Sequence, residues 1–317
     1  MEREDFLAYI AGLYYEENLT EAEIGHRVGL SRSTVSRLLR AAREAGIVKI
    51  IIDYPWRVSP ELEQKLTERF QLTEAIVLKG QERPYPDVLK GLGILAARYI
   101  ESVLTDGMVL GISWGTAVHS TILALKPKPY TGVKVVQMIG AVGTSDPQID
   151  GPELARHLAS VCNGEYRFLH APLIVESPQV RDALLQEPHI RETLEMARQA
   201  DLALVGIGSP RPEVSSLLRA GYLPREALTR LWEEGAVGDI CARHYDIQGR
   251  FLDIPLNQRI VGIDPEGICR IKQVIGVAGG EAKAEAILGA LRSGCLDVLV
   301  TDEAAARKVL QLDEMTR

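Results

Sequence analysis

Along the first 45 residues apolar positions recur every three to four residues; beyond residue 70 they gather into short runs between amphipathic stretches. This change of period predicts a small helical domain over 1–54 and a larger α/β domain over 55–317. In the first, Phe6, Ile10, Leu13 and Tyr14 give a helix from Asp5 to Tyr15. Thr20 followed by Glu23 has the form of a capping box, with Ala22, Ile24 and Val28 as the buried side of a second helix that Gly29 ends. Gly29 and Leu30 then form a turn into Ser31, a good N-cap for a third helix running to about Ala45. On that helix Val35, Leu38, Leu39 and Ala42 share one face and must pack inward. The following IVKIIIDYP predicts a wing or closing strand, Pro55 and Pro60 bracket a linker, and Leu62, Leu66 and Phe70 mark a helix suited to pairing subunits or to the next domain.

In the larger domain the expected strands are Ala75–Leu78, Met108–Ile112, Lys134–Ile139, Phe168–Pro172, Leu202–Ile207, Val274–Ala278 and Val298–Val300. Continuous apolar strands alternating with helices predict a doubly wound, mostly parallel sheet covered on both faces. A chain of 317 residues with 46% apolar residues exceeds what one core usually serves, which agrees with two domains.

Charge sharpens the difference between them. The net charge is −7, yet residues 26–49 carry Arg27, Arg32, Arg37, Arg40, Arg43 and Lys49 against Glu44 alone, a local balance of +5 that leaves −12 for the rest. The polar face of the third helix displays Arg32, Ser33, Ser36, Arg37 and Arg40, with Thr34 beside its first turn. An ordinary helical hairpin with solvated arginines would also carry such a face. The basic cluster together with the turn chemistry favours instead a helix-turn-helix, whose second helix enters the DNA major groove. Cys162, Cys241, Cys269 and Cys295 lie far apart, without CxxC or zinc spacing, and are expected to be four reduced thiols with no metal. An acidic N-terminus and the lack of an apolar run near the roughly 18 residues of a membrane span lead to the expectation of a soluble cytoplasmic protein without membrane contact.

Ligands of open parallel sheets bind where strands end and helices begin. Gly111-Ile112-Ser113-Trp114-Gly115-Thr116 is such a junction, with amides and hydroxyls suited to an anion. Gly276-Val277-Ala278-Gly279-Gly280-Glu281-Ala282-Lys283 is another, with a lysine in the first helical turn. A lysine there opposes the helix dipole and calls for an anionic partner: a ligand phosphate, Glu281 or a nearby aspartate. Gly206-Ile207-Gly208-Ser209 lacks the third glycine and the acidic residue of a dinucleotide site, and reads as a close turn near a ligand. Gly140, Gly143 and Thr144 end another strand and would line the same crevice, while Asp239 is suited either to sugar hydroxyls or to a cap or turn.

Gly111-Ile112-Ser113-Trp114-Gly115 also satisfies GxSxG, the nucleophile elbow of α/β-hydrolases, with His157, His170, His189 and His244 downstream. No histidine has a telling context, no HGGG-type segment precedes Ser113, and a hydrolase has no evident use for a DNA-binding module. A regulator without catalysis is therefore preferred.

Taken in order, LTEAEIGHRVGLSRSTVSRLLRAAREAGIVKI, GISWGT, LVGIG, GAVGDI, GVAGGEAKAEAILGALRSG and DVLVTDEAAA resemble the SorC family of sugar-responsive bacterial transcriptional regulators over nearly the whole chain. The resemblance implies a large domain similar to sugar-phosphate isomerases and deaminases, a phosphorylated sugar effector, operator DNA as partner, no cofactor, and a homodimer or homotetramer. Carried onto this sequence it places the phosphate loop at Ser113, Trp114, Gly115 and Thr116, an acidic ligand contact at Asp239, and a lysine at Lys283 beside Glu281. Gly111 and Gly140 complete the expected ligand set.

Overall fold

The computed structural model describes residues 3–48, 56–80, 84–143 and 147–316. The chain divides into two compact units, Met1–Pro55 and Trp56–Arg317.

The first unit is built of α1 (Arg3–Tyr15), α2 (Glu21–Val28) and α3 (Arg32–Glu44). Thr20 and Glu23 form the capping box: each side chain takes up the other's backbone N–H, an arrangement worth about 1 kcal/mol. Gly29 closes α2 at φ 72°, the left-handed conformation that suits glycine. A second glycine makes the turn possible. A Cβ on Gly25 would lie 2.6 Å from the Leu30 carbonyl oxygen, and the Leu30 N–H donates to the Gly25 carbonyl. Ile10, Leu13, Ile24, Val35 and Leu39 form the core, while Leu7, Ala11 and Ala42 form a second small cluster. The expected faces shift by a position in places. Tyr14 and Ala22 are exposed, and Leu7 and Ala11 take the buried positions on α1. Most of the predicted wing lies outside the described residues.

The second unit contains a sheet ordered β1-β9-β8-β5-β2-β3-β4, parallel throughout. Its strands are β1 (Glu74–Leu78), β2 (Val109–Ile112), β3 (Lys134–Gln137), β4 (Glu165–Arg167), β5 (Leu202–Gly208), β6 (Gly238–Ile240), β7 (Arg243–Tyr245), β8 (Val274–Val277) and β9 (Val298–Asp302). Antiparallel β6 and β7 extend from the end of β5. Helices α4 (Pro60–Phe70), α5 (Tyr85–Val103), α6 (Thr116–Ala124) and α7 (Gly151–Cys162) and those further along the chain cover the sheet. The central strands β2, β5 and β8 are almost wholly apolar and buried, as a sheet covered on both faces requires. Helix α4 buries Leu62 and Leu66 within this unit's main core, so it belongs to the large unit.

Two expectations are corrected, and one hairpin is added. The strand expected at Phe168–Pro172 is replaced by the exposed edge strand Glu165–Arg167. Past Arg167 the Leu169 N–H donates to the Gln137 side chain instead of a ladder carbonyl. The β6–β7 hairpin was not foreseen because its strands have three residues each. Its turn also uses Cys241 and Ala242 at φ 52° and 59°, where Asn-Gly is the usual signal. Finally, Cys269 and Cys295 form a disulfide with Cα atoms 4.2 Å apart, leaving Cys162 and Cys241 as the free thiols. Cys269 and Cys295 lie 26 residues apart in sequence, but each precedes one of the paired strands β8 and β9 and so reaches the same end of the sheet.

Candidate functional site

On α3, Val35, Leu39 and Ala42 face inward, which turns Arg32, Ser33, Arg37 and Arg40 to solvent and leaves Thr34 and Ser36 half-buried. Ser31 caps the helix, its Oγ accepting from the Thr34 N–H at 3.2 Å. The Arg37 guanidinium reaches the Thr34 hydroxyl at 3.4 Å. Arg32, Ser33, Ser36, Arg37 and Arg40 line one concavity with Glu21. Short hydroxyls at the helix start followed by longer guanidiniums suit base edges and phosphates respectively.

In the large unit the ends of β2, β5 and β8 adjoin, and their loops converge on a cavity. The first loop supplies Ser113, Trp114, Gly115 and Thr116. Gly115 caps α6 at φ 114°, open only to glycine, with no side-chain cap, so the first-turn N–H groups of α6 are available to an anion. The Ser113 hydroxyl is already engaged, accepting from the Gly206 N–H at 3.2 Å and braced against the Trp114 carbonyl. Both partners are backbone groups. The non-glycine residues with positive φ among those described are Asn18, Gln71, Asn163, Cys241 and Ala242, so Ser113 lacks the strained geometry of a nucleophile elbow.

Lys283 reaches the cavity from the third loop. Gly279 and Gly280 wrap the Asp302 carboxylate, which accepts from the Gly280 N–H at 2.6 Å, and this brings the short 3-10 turn Glu281–Lys283 over the sheet. The Lys283 ammonium is buried and donates to the Ile207 carbonyl at 2.8 Å. Burial pulls its pKa down to about 8; the Asp239 charge opposes that shift and the Arg219 charge adds to it. An ammonium has three donors, and this bond uses one. Asp239 sits in β6 opposite Gly208, so it belongs to a strand and not to a cap or turn.

Residues 55–311 match the family described as "Putative sugar-binding domain", and residues 12–45 match Sigma-70, region 4. The deoxyribonucleoside regulator of Bacillus subtilis (strain 168) is 31% identical over 309 residues, covering 98% of each chain. The sorbitol operon regulator of Klebsiella pneumoniae is 33% identical over 304 residues, covering 95% of this chain and 96% of that one. The crystal structure of that full-length regulator, SorC, aligns with a TM-score of 0.73 at 32% identity, over 97% of this chain and 99% of the other. The chain belongs to the SorC family. It is a transcriptional regulator with a DNA-binding helix-turn-helix region and a sugar-binding domain.

Within this SorC-family chain the cavity brings together Ser113, Trp114, Gly115, Thr116, Asp239 and Lys283 of the expected ligand set. It does not include Gly111, Gly140 or Glu281. A Cβ on Gly111 would meet the Met138 sulfur at 2.7 Å, and one on Gly140 would meet the Pro172 carbonyl oxygen at 2.5 Å; both glycines serve close packing. Glu281 is exposed and lines a different groove, with Tyr85 and Arg307, so it is not the partner of Lys283. Thr144 lies outside the described residues. Sequence reasoning missed the hydroxyls of Ser215 and Ser216 and the buried Cys241. The first two had a signal, since Ser215 caps the short helix Ser216–Arg219. Cys241 had none. No group of residues suited to a metal ion occurs among those described, and no described helix is long and apolar enough to cross a membrane.

Proposed function

We propose that α3 reads operator DNA through Arg32, Ser33, Thr34, Ser36, Arg37 and Arg40, and that a phosphorylated sugar bound between Lys283 and the α6 N-terminus controls the affinity. The observation that carries the effector half is that a buried Lys283 ammonium and an uncapped helix start line one cavity. A buried cation and free helix amides both favour an anion, and the phosphate supplies it. Asp239 is suited to accept hydrogen bonds from sugar hydroxyls, and Ser209, Ser215 and Ser216 add further polar contacts. The site binds and does not turn over its ligand, because the Ser113 hydroxyl is committed to backbone partners.

The cavity measures about 40 Å³. A sugar phosphate is far larger, so its entry moves the segment carrying Ser209, Ser215 and Leu217 outward. That displacement gives the ligand a preference for one conformation, which linkage requires if it is to alter DNA affinity. Subunits paired as a homodimer or homotetramer set the spacing of two half-sites in cytoplasmic DNA.

Thermal shift against sugar phosphates, the parent sugars and inorganic phosphate tests the effector half. At 100 times its dissociation constant a ligand that binds only the folded state adds about 2.7 kcal/mol. A large shift with one phosphorylated sugar and none with its parent sugar is expected; equal shifts for both would remove the phosphate from the account.

A further inference from the structure

Glu21 is the first residue of α2, yet its carboxylate is turned toward the basic face of α3. Its Oε2 accepts from the Arg32 Nε at 3.3 Å; the Glu21 side chain is 26% exposed and that of Arg32 78%. The two side chains form the shared wall of two concavities. One, of about 430 Å³, lies over α3 with Ser33, Ser36, Arg37 and Arg40. The other, of about 670 Å³, lies beside Tyr14, Tyr15 and Thr20. Over α3, Glu21 is thus a single carboxylate among three guanidiniums.

A structural role explains this poorly. An exposed ion pair adds little to stability, and the acid that a helix start favours is already supplied by Glu23 through the capping box. A carboxylate on a face that meets phosphates weakens binding to any DNA unless it receives a donor in return. Base edges provide one, since the N4 amino group of cytosine in the major groove donates to carboxylates.

We propose that Glu21 is a specificity-determining residue of the DNA interface. This rests on the reading of α3 as the recognition helix. On mixed-sequence DNA the carboxylate keeps Arg32 from the phosphates and itself faces negative charge. On the cognate sequence a cytosine amino group satisfies Glu21 and releases Arg32 to a phosphate. The residue therefore lowers affinity for all DNA and restores it where the right base pair is present, so that specificity gains from a repulsive element.

The test compares wild type, Glu21→Gln and Arg37→Ala on two probes: a duplex selected by the wild type from a random pool, and mixed-sequence genomic DNA. Glu21→Gln keeps the side-chain shape and leaves the Thr20–Glu23 box in place, so the unit folds; circular dichroism checks it. The variant is expected to bind mixed-sequence DNA several-fold tighter, with a log-affinity against log-salt slope about one unit steeper. Its preference for the selected duplex should fall about fivefold or more. If Glu21→Gln leaves both affinities unchanged, or changes both by one factor, while Arg37→Ala weakens both, the proposal is overturned and the α3 reading stands. If Arg37→Ala also leaves both intact, the α3 reading itself falls.

Discussion

The Asp239 carboxylate occupies the place where Gly208 would carry a side chain: a Cβ at Gly208 would lie 2.0 Å from its Oδ1. The two residues are register partners across β5 and β6. The second glycine of Gly206-Ile207-Gly208 therefore makes room for an acidic side chain, which explains a glycine pattern without a dinucleotide. Gly208→Ala should displace the carboxylate from the cavity at an overpacking cost of about 1–3 kcal/mol. A lowered Tm together with loss of the sugar-phosphate shift is the expected outcome. Retention of the full shift would separate Asp239 from the ligand.

Lys283 is costly to the ligand-free protein. With its pKa at about 8 in the fold against about 10.4 in the unfolded chain, the unfolded state binds more protons between those values. The penalty is complete below pH 8 and fades as pH rises toward 10.4, so stability from this group increases over that window. Lys283→Met should therefore raise the Tm at pH 7, by at most about 3 kcal/mol of stability, while abolishing the response to ligand. A lowered Tm in Lys283→Met would assign the ammonium a supporting role instead.

The same residue predicts a pH dependence of binding. A phosphate needs Lys283 protonated, so ligand affinity should fall as pH is raised through 8 and the ammonium is lost. Titration calorimetry from pH 7 to 9 measures this, and an affinity that stays constant over that range would separate the ammonium from the phosphate.

The helix-turn-helix was almost fully legible because its signals are local. Thr20, Glu23, Gly29 and Ser31 each perform the capping task their type and spacing predict. The parallel strands were legible for a similar reason, since burial on both faces writes a continuous apolar run. What failed depended on long-range neighbours. Glu165–Arg167 carries no apolar signal because it is an exposed edge. Gly111 and Gly140 read as ligand glycines, but the side chain and backbone packed against them, Met138 and Pro172, decide their role. The Cys269–Cys295 pair depends on strand order, which spacing alone does not supply.

Gly25 offers a separate test of the small unit. Its substitution by alanine would place a methyl 2.6 Å from the Leu30 carbonyl oxygen, forcing the turn between α2 and α3 open. DNA binding should be lost while the sugar-phosphate shift of the large unit persists. Undiminished DNA binding in Gly25→Ala would show that the turn tolerates widening.

The two halves are joined if a phosphorylated sugar in the Lys283 cavity changes the affinity for DNA. Fluorescence anisotropy of a labelled operator duplex, with and without the sugar phosphate identified by thermal shift, measures that link in wild type and Lys283→Met. The DNA Kd is expected to change about fivefold or more in the wild type, within the usual range of allosteric coupling, and not at all in the variant. An unchanged Kd in the wild type at saturating ligand, or an equal change in both proteins, would contradict that link.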